Sequence, residues 1–341
     1  MNPQRPYNRR DLLKTAGLTA AGLAMSPFLS RFARADDAPR KKILFFTKSA
    51  GFQHSVITRD PKDPEKLSFA EQILTDLGAK NGFDVTCSKD GTIFTPDKIA
   101  GFDAYCFYTT GDLTKDSDKY LMTKDANGKA TVKGYLIMNE PGMGEDGKKV
   151  FLESIQNGKG FMALHSGADT MHSHSKVKPE LIRNVNEKGE DDFDPYIQML
   201  GGEFIIHGAQ QPSTLRLVDP KFPGAAGFND ARFPEEWYSL KNFAPDLHVI
   251  LVQDTEGMKG PMYDARKPYP ETWAHMWGKG RVFYTSMGHR DDVWKKQEYL
   301  DLLVGAMSWI TGRLEADVTP NLKEVCPEAD PPTFIPPPKK S

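Results

Sequence analysis

The stretch GKGFMALHSGAD, from Gly158 to Asp169, determines how the rest of the sequence is interpreted. Its apolar first half predicts a buried strand, which stops at the pattern small-x-His-x-Gly between Ala163 and Gly167. In α/β enzymes a turn of this kind, the nucleophile elbow, presents a reactive side chain at the top of the sheet. Here that residue is His165, which indicates a ligand or a proton acceptor rather than an acyl-forming nucleophile.

The segments around this strand alternate between strand and helix patterns. KKILFFTKSAGF, residues 41–52, predicts a first buried strand that runs into a Gly turn, and residues 65–82 carry apolar side chains at helical spacing. Residues 148–157 predict a helix that leads into the strand ending at His165. This alternation implies a parallel sheet with right-handed crossovers. Residues 112–145, rich in Lys, Asp and Gly, predict an inserted surface hairpin.

The second half is less regular. Strand-like runs such as LHVILVQD and GRVFYTSMGHR follow one another with only short turns between them, which favours antiparallel pairing. A last amphipathic helix ends before Gly312. We therefore expect an α/β fold with a doubly wound, mostly parallel sheet and antiparallel additions in the second half.

The two ends of the chain differ from its middle. Paired arginines at Arg9 and Arg10, an apolar run and Ala33-Arg34-Ala35 predict a twin-arginine signal peptide over residues 1–35. The main domain is then expected over residues 36–315, followed by a Pro-rich tail over 316–341. The signal implies recognition by the twin-arginine export machinery and a periplasmic location. No later apolar run approaches the roughly 20 residues of a membrane span.

Composition narrows the choice of partner. The formal net charge is −2, and no basic run follows the signal, which argues against nucleic acid and favours a small neutral ligand. The sequence contains no phosphate-binding loop and no GxGxxG pattern, so a nucleotide cofactor is not expected.

Four histidines stand where a predicted strand has just ended: His54, His165, His207 and His289. Because ligands bind outside the carboxyl ends of the strands in open α/β sheets, these side chains are expected to converge on one rim. Imidazole is the commonest metal ligand and exchanges protons near neutral pH, so the four could bind a metal or act as acids and bases. Each could also simply cap a turn.

Carboxylates near these turns are candidate acids and bases. Asp169 follows the elbow, and FPEEWY places Glu235 and Glu236 beside Trp237 and Tyr238. Paired acids beside aromatic rings are typical of carbohydrate sites, although a solvated loop has the same composition.

Other histidines have two interpretations each. His275 alternates with Trp273 and Trp277, so the three share a strand face that is either a sugar platform or sheet packing. His172 and His174 are either a metal pair or part of a solvated loop.

Together these segments resemble the ThuA-like (trehalose utilisation) family. SAGFQHS, GKGFMALHSGADT, Tyr196 with LGGEFIIH, PEEWY and WAHMWGKGRVFYTSMGH follow in the order and spacing of that family, from Lys42 to Gly312. The resemblance implies a flavodoxin-like fold close to that of class I glutamine amidotransferases, with the catalytic cysteine absent from the elbow. Glu235 departs from the family's usual Asp, and the MHSHS loop departs from its aromatic-rich loop.

The resemblance also implies a function. Family members act on oxidised sugars, notably 3-keto-glycosides, with a divalent metal, zinc or similar, held by histidines; by position these are His54, His165, His207 and His289. We therefore expect a metal-dependent lyase or hydratase that removes the C2 proton and eliminates the C1 substituent. The alternatives are a glycoside-directed hydrolase and a non-catalytic carbohydrate-binding module. Asp169 and Glu236 are the expected catalytic carboxylates, and the expected substrate contacts are Ser166, Gly167, Trp237, Tyr238 and His275.

Overall fold

Nine strands form one mixed sheet in the computed structural model, which describes residues 39–124, 130–174, 183–229, 231–264 and 266–329, with only the backbone of residues 118–139. The predicted signal peptide and the end of the Pro-rich tail lie outside these residues. The parallel part contains β1 (Lys41–Phe46), β2 (Phe83–Ser88), β3 (Ala104–Phe107), β6 (Gly160–Leu164) and β13 (Gly280–Thr285). Their order in the sheet is β2-β1-β3-β6-β13, so the strand order reverses between β1 and β3.

Antiparallel strands extend this sheet beyond β13. They are β8 (Gln211–Leu217), β9 (Ala231–Glu235), β11 (His248–Asp254) and β12 (Tyr269–Trp277), in the order β13-β12-β11-β8-β9. Two further antiparallel pairs stand apart from the large sheet: β4 (Ser117–Lys124) with β5 (Ala130–Glu140), and β7 (Glu203–His207) with β10 (Tyr238–Lys241). The first pair is the hairpin predicted for residues 112–145. The expected α/β fold, parallel first and antiparallel later, is confirmed.

Helices cover both faces of the parallel part. The helices are α1 (Phe69–Lys80), α2 (Pro96–Ile99), α3 (Gly144–Gln156), α4 (Pro195–Leu200), α5 (Pro261–Asp264), α6 (Gln297–Ile310) and α7 (Leu322–Val325). On one face α6 packs on β6 and β13 and contacts α1. On the other face, α3 and α4 pack together against β13. Phe151 of α3 stacks on Phe107 of β3. In the described part of the chain, no helix combines the length and apolarity required to cross a membrane.

Residues 316–329 correct the expected boundary at residue 315. Leu322, Cys326 and Ala329 are buried and belong to the main hydrophobic core, and the backbone of Asn321 donates to the oxygen of Leu247. Part of the segment expected as a Pro-rich tail therefore packs with the domain: Leu322 begins the short helix α7, and Cys326 and Ala329 follow it.

Candidate functional site

The turn after β6 has the strained geometry of an elbow. His165 adopts a φ of 43°, in the left-handed region that residues other than Gly rarely occupy. Backbone strain of this kind is retained where the surrounding structure enforces it, often at functional sites. A Cβ atom added to Gly167 would lie 2.6 Å from the Cβ of Ala163, which explains why both positions carry small residues.

Three imidazoles and one carboxylate meet above the carboxyl ends of β1, β6 and β13. They are His54, His165, Glu236 and His289, here called the His–Glu cluster, and one ligand atom from each lies within 4.8 Å of the others. The imidazole centroids are 4.9 to 5.3 Å apart, and the ring planes cross at 71° to 87°. The rings therefore surround a common point instead of stacking.

The nitrogens of these rings are poorly satisfied by the protein. Nδ1 of His165 lies 2.7 Å from the backbone oxygen of Ser286, which can only accept, so Nδ1 carries the hydrogen and Nε2 is left with a lone pair. Nε2 of His165 and the Nδ1 atoms of His54 and His289 are buried without a hydrogen-bond partner among the described residues. Nδ1 of His289 is 2.9 Å from Oε2 of Glu236, yet the two do not align as a hydrogen bond.

The charge states also suit a cation. Burial lowers the pKa of His54 and lowers that of His165 to about 3, so both rings are neutral near pH 7. Burial alone would raise the pKa of Glu236, but contacts with His165, His289 and His54 hold it well below its usual range. Neutral imidazoles and an ionised carboxylate are the forms that bind metals. With its orphaned nitrogens, this N₃O donor set fits a divalent ion such as zinc.

Two buried carboxylates that lie outside the cluster support it. Glu235 accepts from the backbone N–H groups of Glu236 at 2.7 Å and Gly288 at 3.0 Å, and burial raises its pKa to about 7. Glu271 accepts from the hydroxyls of Thr285 at 3.0 Å and Ser286 at 2.8 Å, beside the carbonyl that orients His165. Sequence reasoning did not find Glu271, because its position inside β12 gives no signal of function.

His207, expected as a ligand, and Glu236, expected as a base, have different places at the site. His207 is the last residue of β7, outside the large sheet; its side chain is 44 % exposed, and Nδ1 lies 3.3 Å from Oε1 of Glu236. The structure therefore brings Glu236, expected as a base, into the four-residue cluster and leaves His207 beside it. Asp169 lies near enough that its carboxylate raises the pKa of His54 against the stronger effect of burial.

Of the expected substrate contacts, three adjoin the cluster. The ring of Tyr238 packs on that of His165, with 4.1 Å between centroids. Ser166 is buried with an unsatisfied hydroxyl, and the backbone oxygen of Gly167 accepts from Tyr196 at 2.8 Å.

The other two expected contacts are packing residues. Trp237 is 1 % exposed, and its Nε1 donates to the backbone oxygen of Gln211. His275 is 1 % exposed and pairs in register with Val282, near the start of β13 and away from the carboxyl rim. Its Nε2 lies 2.9 Å from the backbone oxygen of Met199. Both side chains are thus enclosed by the fold, and for His275 this matches the packing alternative considered from the sequence.

Two features near the cluster were not predicted. His172 lies between Asp169, with Nε2 2.7 Å from Oδ1, and Glu203, with Nδ1 2.8 Å from Oε1. His174 is exposed, so the two do not form the metal pair considered from the sequence. Phe52 is 68 % exposed, and its ring meets that of His54 edge-on at 5.0 Å between centroids.

The family described as ThuA, trehalose utilisation, matches residues 42–310. The chain belongs to the ThuA family. That match contains His54, the His165 elbow, Glu236 and His289, so the whole His–Glu cluster lies within the ThuA region. No protein of curated function matches the chain.

Solved structures agree with this assignment at the level of the fold. A ThuA-like protein from Bacteroides uniformis ATCC 8492 matches with a TM-score of 0.53 and 17% identity, covering 80% of this chain and 92% of its own. A ThuA-like protein from Parabacteroides merdae ATCC 43184 has a TM-score of 0.46 and 16% identity, over 82% and 93% of the chains. A β-galactosidase from Rahnella sp. R3 has a TM-score of 0.39 and 12% identity, over 79% and 31%. Of these structures, the protein from Bacteroides uniformis shares the fold of this chain.

Proposed function

We propose that this ThuA-family protein is a metal-dependent lyase or hydratase that acts on 3-keto sugars or 3-keto-glycosides. The observation that carries the proposal is the His–Glu cluster: its four donor atoms lie within 4.8 Å of one another, and three of its imidazole nitrogens are buried without a partner among the described residues. Asp169 is close enough to raise the pKa of His54 against the larger effect of burial. His54, His165, Glu236 and His289 would hold the ion. A bound divalent ion supplies Lewis acidity toward a ketone and its neighbouring hydroxyl.

The protein's own residues account for the proton transfers. A ketone at C3 acidifies the C2 proton, which passes to the carboxylate of Asp169 while the C–H electron pair is delocalised into the ketone. The C1–O bond then breaks, and the departing oxygen takes the proton back from Asp169. The products are an enone sugar and an alcohol, and addition of water to the enone completes a hydratase cycle. Proton transfer by a positioned side chain contributes about 10²- to 10⁴-fold.

Aromatic residues complete the proposed site. Tyr238 packs on His165 and keeps that ring in place, while burial raises the pKa of Tyr238 well above its usual range, so its hydroxyl stays neutral. The exposed ring of Phe52 offers an apolar surface beside His54 that suits the apolar face of a sugar.

The test is turnover of a 3-keto-glycoside and of the matching unoxidised glycoside in deuterated water. We expect turnover of the keto form only, with deuterium at C2 of the hydrated product. Asp169→Asn should lower kcat by about 10²- to 10⁴-fold with bound metal unchanged. Asp219→Asn is the matched control, because Asp219 also pairs with a histidine, His248, at 3.1 Å and is not part of the proposed site.

Other outcomes would select another function. Turnover of the unoxidised glycoside with C2 left protiated would replace elimination by direct hydrolysis. Saturable binding of the sugar without turnover, with or without added zinc, would make the protein a carbohydrate-binding module.

We also propose that the protein works in the periplasm, on the strength of the twin-arginine pattern at Arg9 and Arg10. Replacing both arginines by lysine should leave the precursor in the cytoplasm, as measured by fractionation. Normal export of that variant would contradict the proposed route.

A further inference from the structure

The contacts of His172 determine its charge. Both ring nitrogens face carboxylate oxygens, Oδ1 of Asp169 at 2.7 Å and Oε1 of Glu203 at 2.8 Å. A neutral imidazole has only one N–H, so it would direct a lone pair at one of these two oxygens. With both carboxylates ionised, the arrangement is satisfied only by an imidazolium that donates in both directions.

Glu203 is a fixed anchor for this imidazolium. It is 1 % exposed, and its two oxygens accept from the backbone N–H of Ser173 at 3.1 Å and from Nδ2 of Asn242 at 2.6 Å. Asp169 and Lys241 are the charged side chains around Glu203 and His172. Burial alone would raise the pKa of Glu203, but its contact with His172 and the charge of Lys241 lower it. Although burial opposes it, the hydrogen bonds that His172 donates to the two carboxylates raise its pKa to about 9.

Asp169 is the other end of this chain of contacts. Its Oδ1 is committed to His172, whereas Oδ2 has no hydrogen-bond partner among the described residues. The backbone of Asp169 is fixed as well, because its carbonyl accepts from the N–H of Gly111 at 2.8 Å. The side chain therefore has one oxygen held and one oxygen available.

We propose that His172 is the positioning residue of Asp169: anchored by Glu203, it holds Oδ1 and leaves Oδ2 to take the C2 proton of the substrate. This inference rests on the proposed elimination. It concerns His172 of the MHSHS loop. The imidazolium does not touch the substrate; it keeps the carboxylate oriented.

The experiment compares wild type with His172→Gln, Glu203→Gln and the control His174→Gln, which changes an exposed histidine two residues further along the same loop. We expect His172→Gln to lower kcat about tenfold or more, within the range of general-base effects, with KM and bound metal little changed. The acidic limb of the kcat/KM profile should move to higher pH, because a carboxylate base loses an adjacent cation. Glu203→Gln should act in the same direction, and His174→Gln should match wild type.

A second measurement does not depend on turnover. The ¹⁵N spectrum of the substrate-free wild type at pH 7.5 should show both ring nitrogens of His172 protonated, and a neutral ring would overturn the inference. If wild type turns over the 3-keto-glycoside while His172→Gln and His174→Gln are equally active, the positioning role alone is rejected. If wild type turns over no 3-keto-glycoside, the proposed function is rejected and the role of His172 with it.

Discussion

The backbone N–H of Gly288 donates to Oε2 of Glu235 at 3.0 Å, which ties the loop carrying His289 to the strand that precedes Glu236. The second oxygen of Glu235 accepts from the N–H of Glu236 itself. One buried side chain thus fixes two members of the His–Glu cluster relative to each other. The cluster is therefore preorganised by hydrogen bonds outside it, as metal sites commonly are.

The ligand assignment can be tested by single substitutions. His165→Ala and His289→Ala should each bind zinc at least about 10- to 100-fold more weakly, since losing even an outer partner costs that much, and both should keep the native circular dichroism spectrum. His174→Ala is the matched control and should bind zinc as wild type does, because His174 is exposed and lies outside the four-residue group. Equal affinities for all three variants, measured by calorimetry, would exclude this site.

The strained backbone at the elbow should reverse the usual order of Ala and Gly. At a φ of 43° Ala is strained and Gly is not, so His165→Gly should be more stable than His165→Ala by about 0.5–1 kcal/mol. The measurement is urea unfolding of both variants in EDTA, which removes any difference in metal binding. Ser166→Ala and Ser166→Gly are the control pair. Because the φ of Ser166 is not positive, Ser166→Ala should be more stable than Ser166→Gly.

His172 should make stability depend on pH. Its pKa is raised from 6.5 to about 9 on folding, so its stabilising effect is complete below pH 6.5 and is lost as the pH rises through 9. The metal-free wild type should therefore lose about 2 kcal/mol between pH 6.5 and 10 relative to His172→Gln, allowing for partial solvent screening. His174→Gln should lose as much as wild type. Parallel curves for wild type and His172→Gln would show that the ring is not charged in the folded state.

Phe52 should contribute to substrate binding more than to catalysis. Phe52→Ala should raise KM about 5- to 10-fold with kcat nearly unchanged, as expected when one aromatic contact worth about 1 kcal/mol is lost equally from ground and transition states. Phe69→Ala is the control, since Phe69 is also partly exposed but begins α1, where Lys295 lies over its ring. A fall in kcat without a change in KM would instead give Phe52 a role in holding His54.

The part of the site that follows the main sheet could be predicted from the sequence. His54, His165 and His289 each follow a strand of the parallel part, and hydrophobic runs identify those strands well. Glu236 was recognised as functional, but not as a neighbour of three histidines. It reaches them from the turn between β9 and β10, which belong to different sheets, and pairing between distant segments leaves no local pattern.

Charge partners were harder to predict than positions. His172 was recognisable only as a histidine in a polar loop, because Glu203, which anchors it, lies 31 residues further along the chain. His207 was expected at the shared rim, since β7 has the pattern of any buried strand and gives no sign that it pairs with β10 instead of the large sheet.

The four members of the His–Glu cluster come from positions 54, 165, 236 and 289 of the chain, and this spread determines when a complete donor set can exist. Closing such long loops costs entropy, and only the contacts formed in the assembled sheet offset that cost. A ribosome-bound chain lacks the fourth donor until residue 289 has been made, so no partial chain holds the complete donor set. If the proposed metal role holds, the choice among competing cations would be made by a finished domain, in whichever compartment folding ends, and the cation supply there would decide which ion is retained.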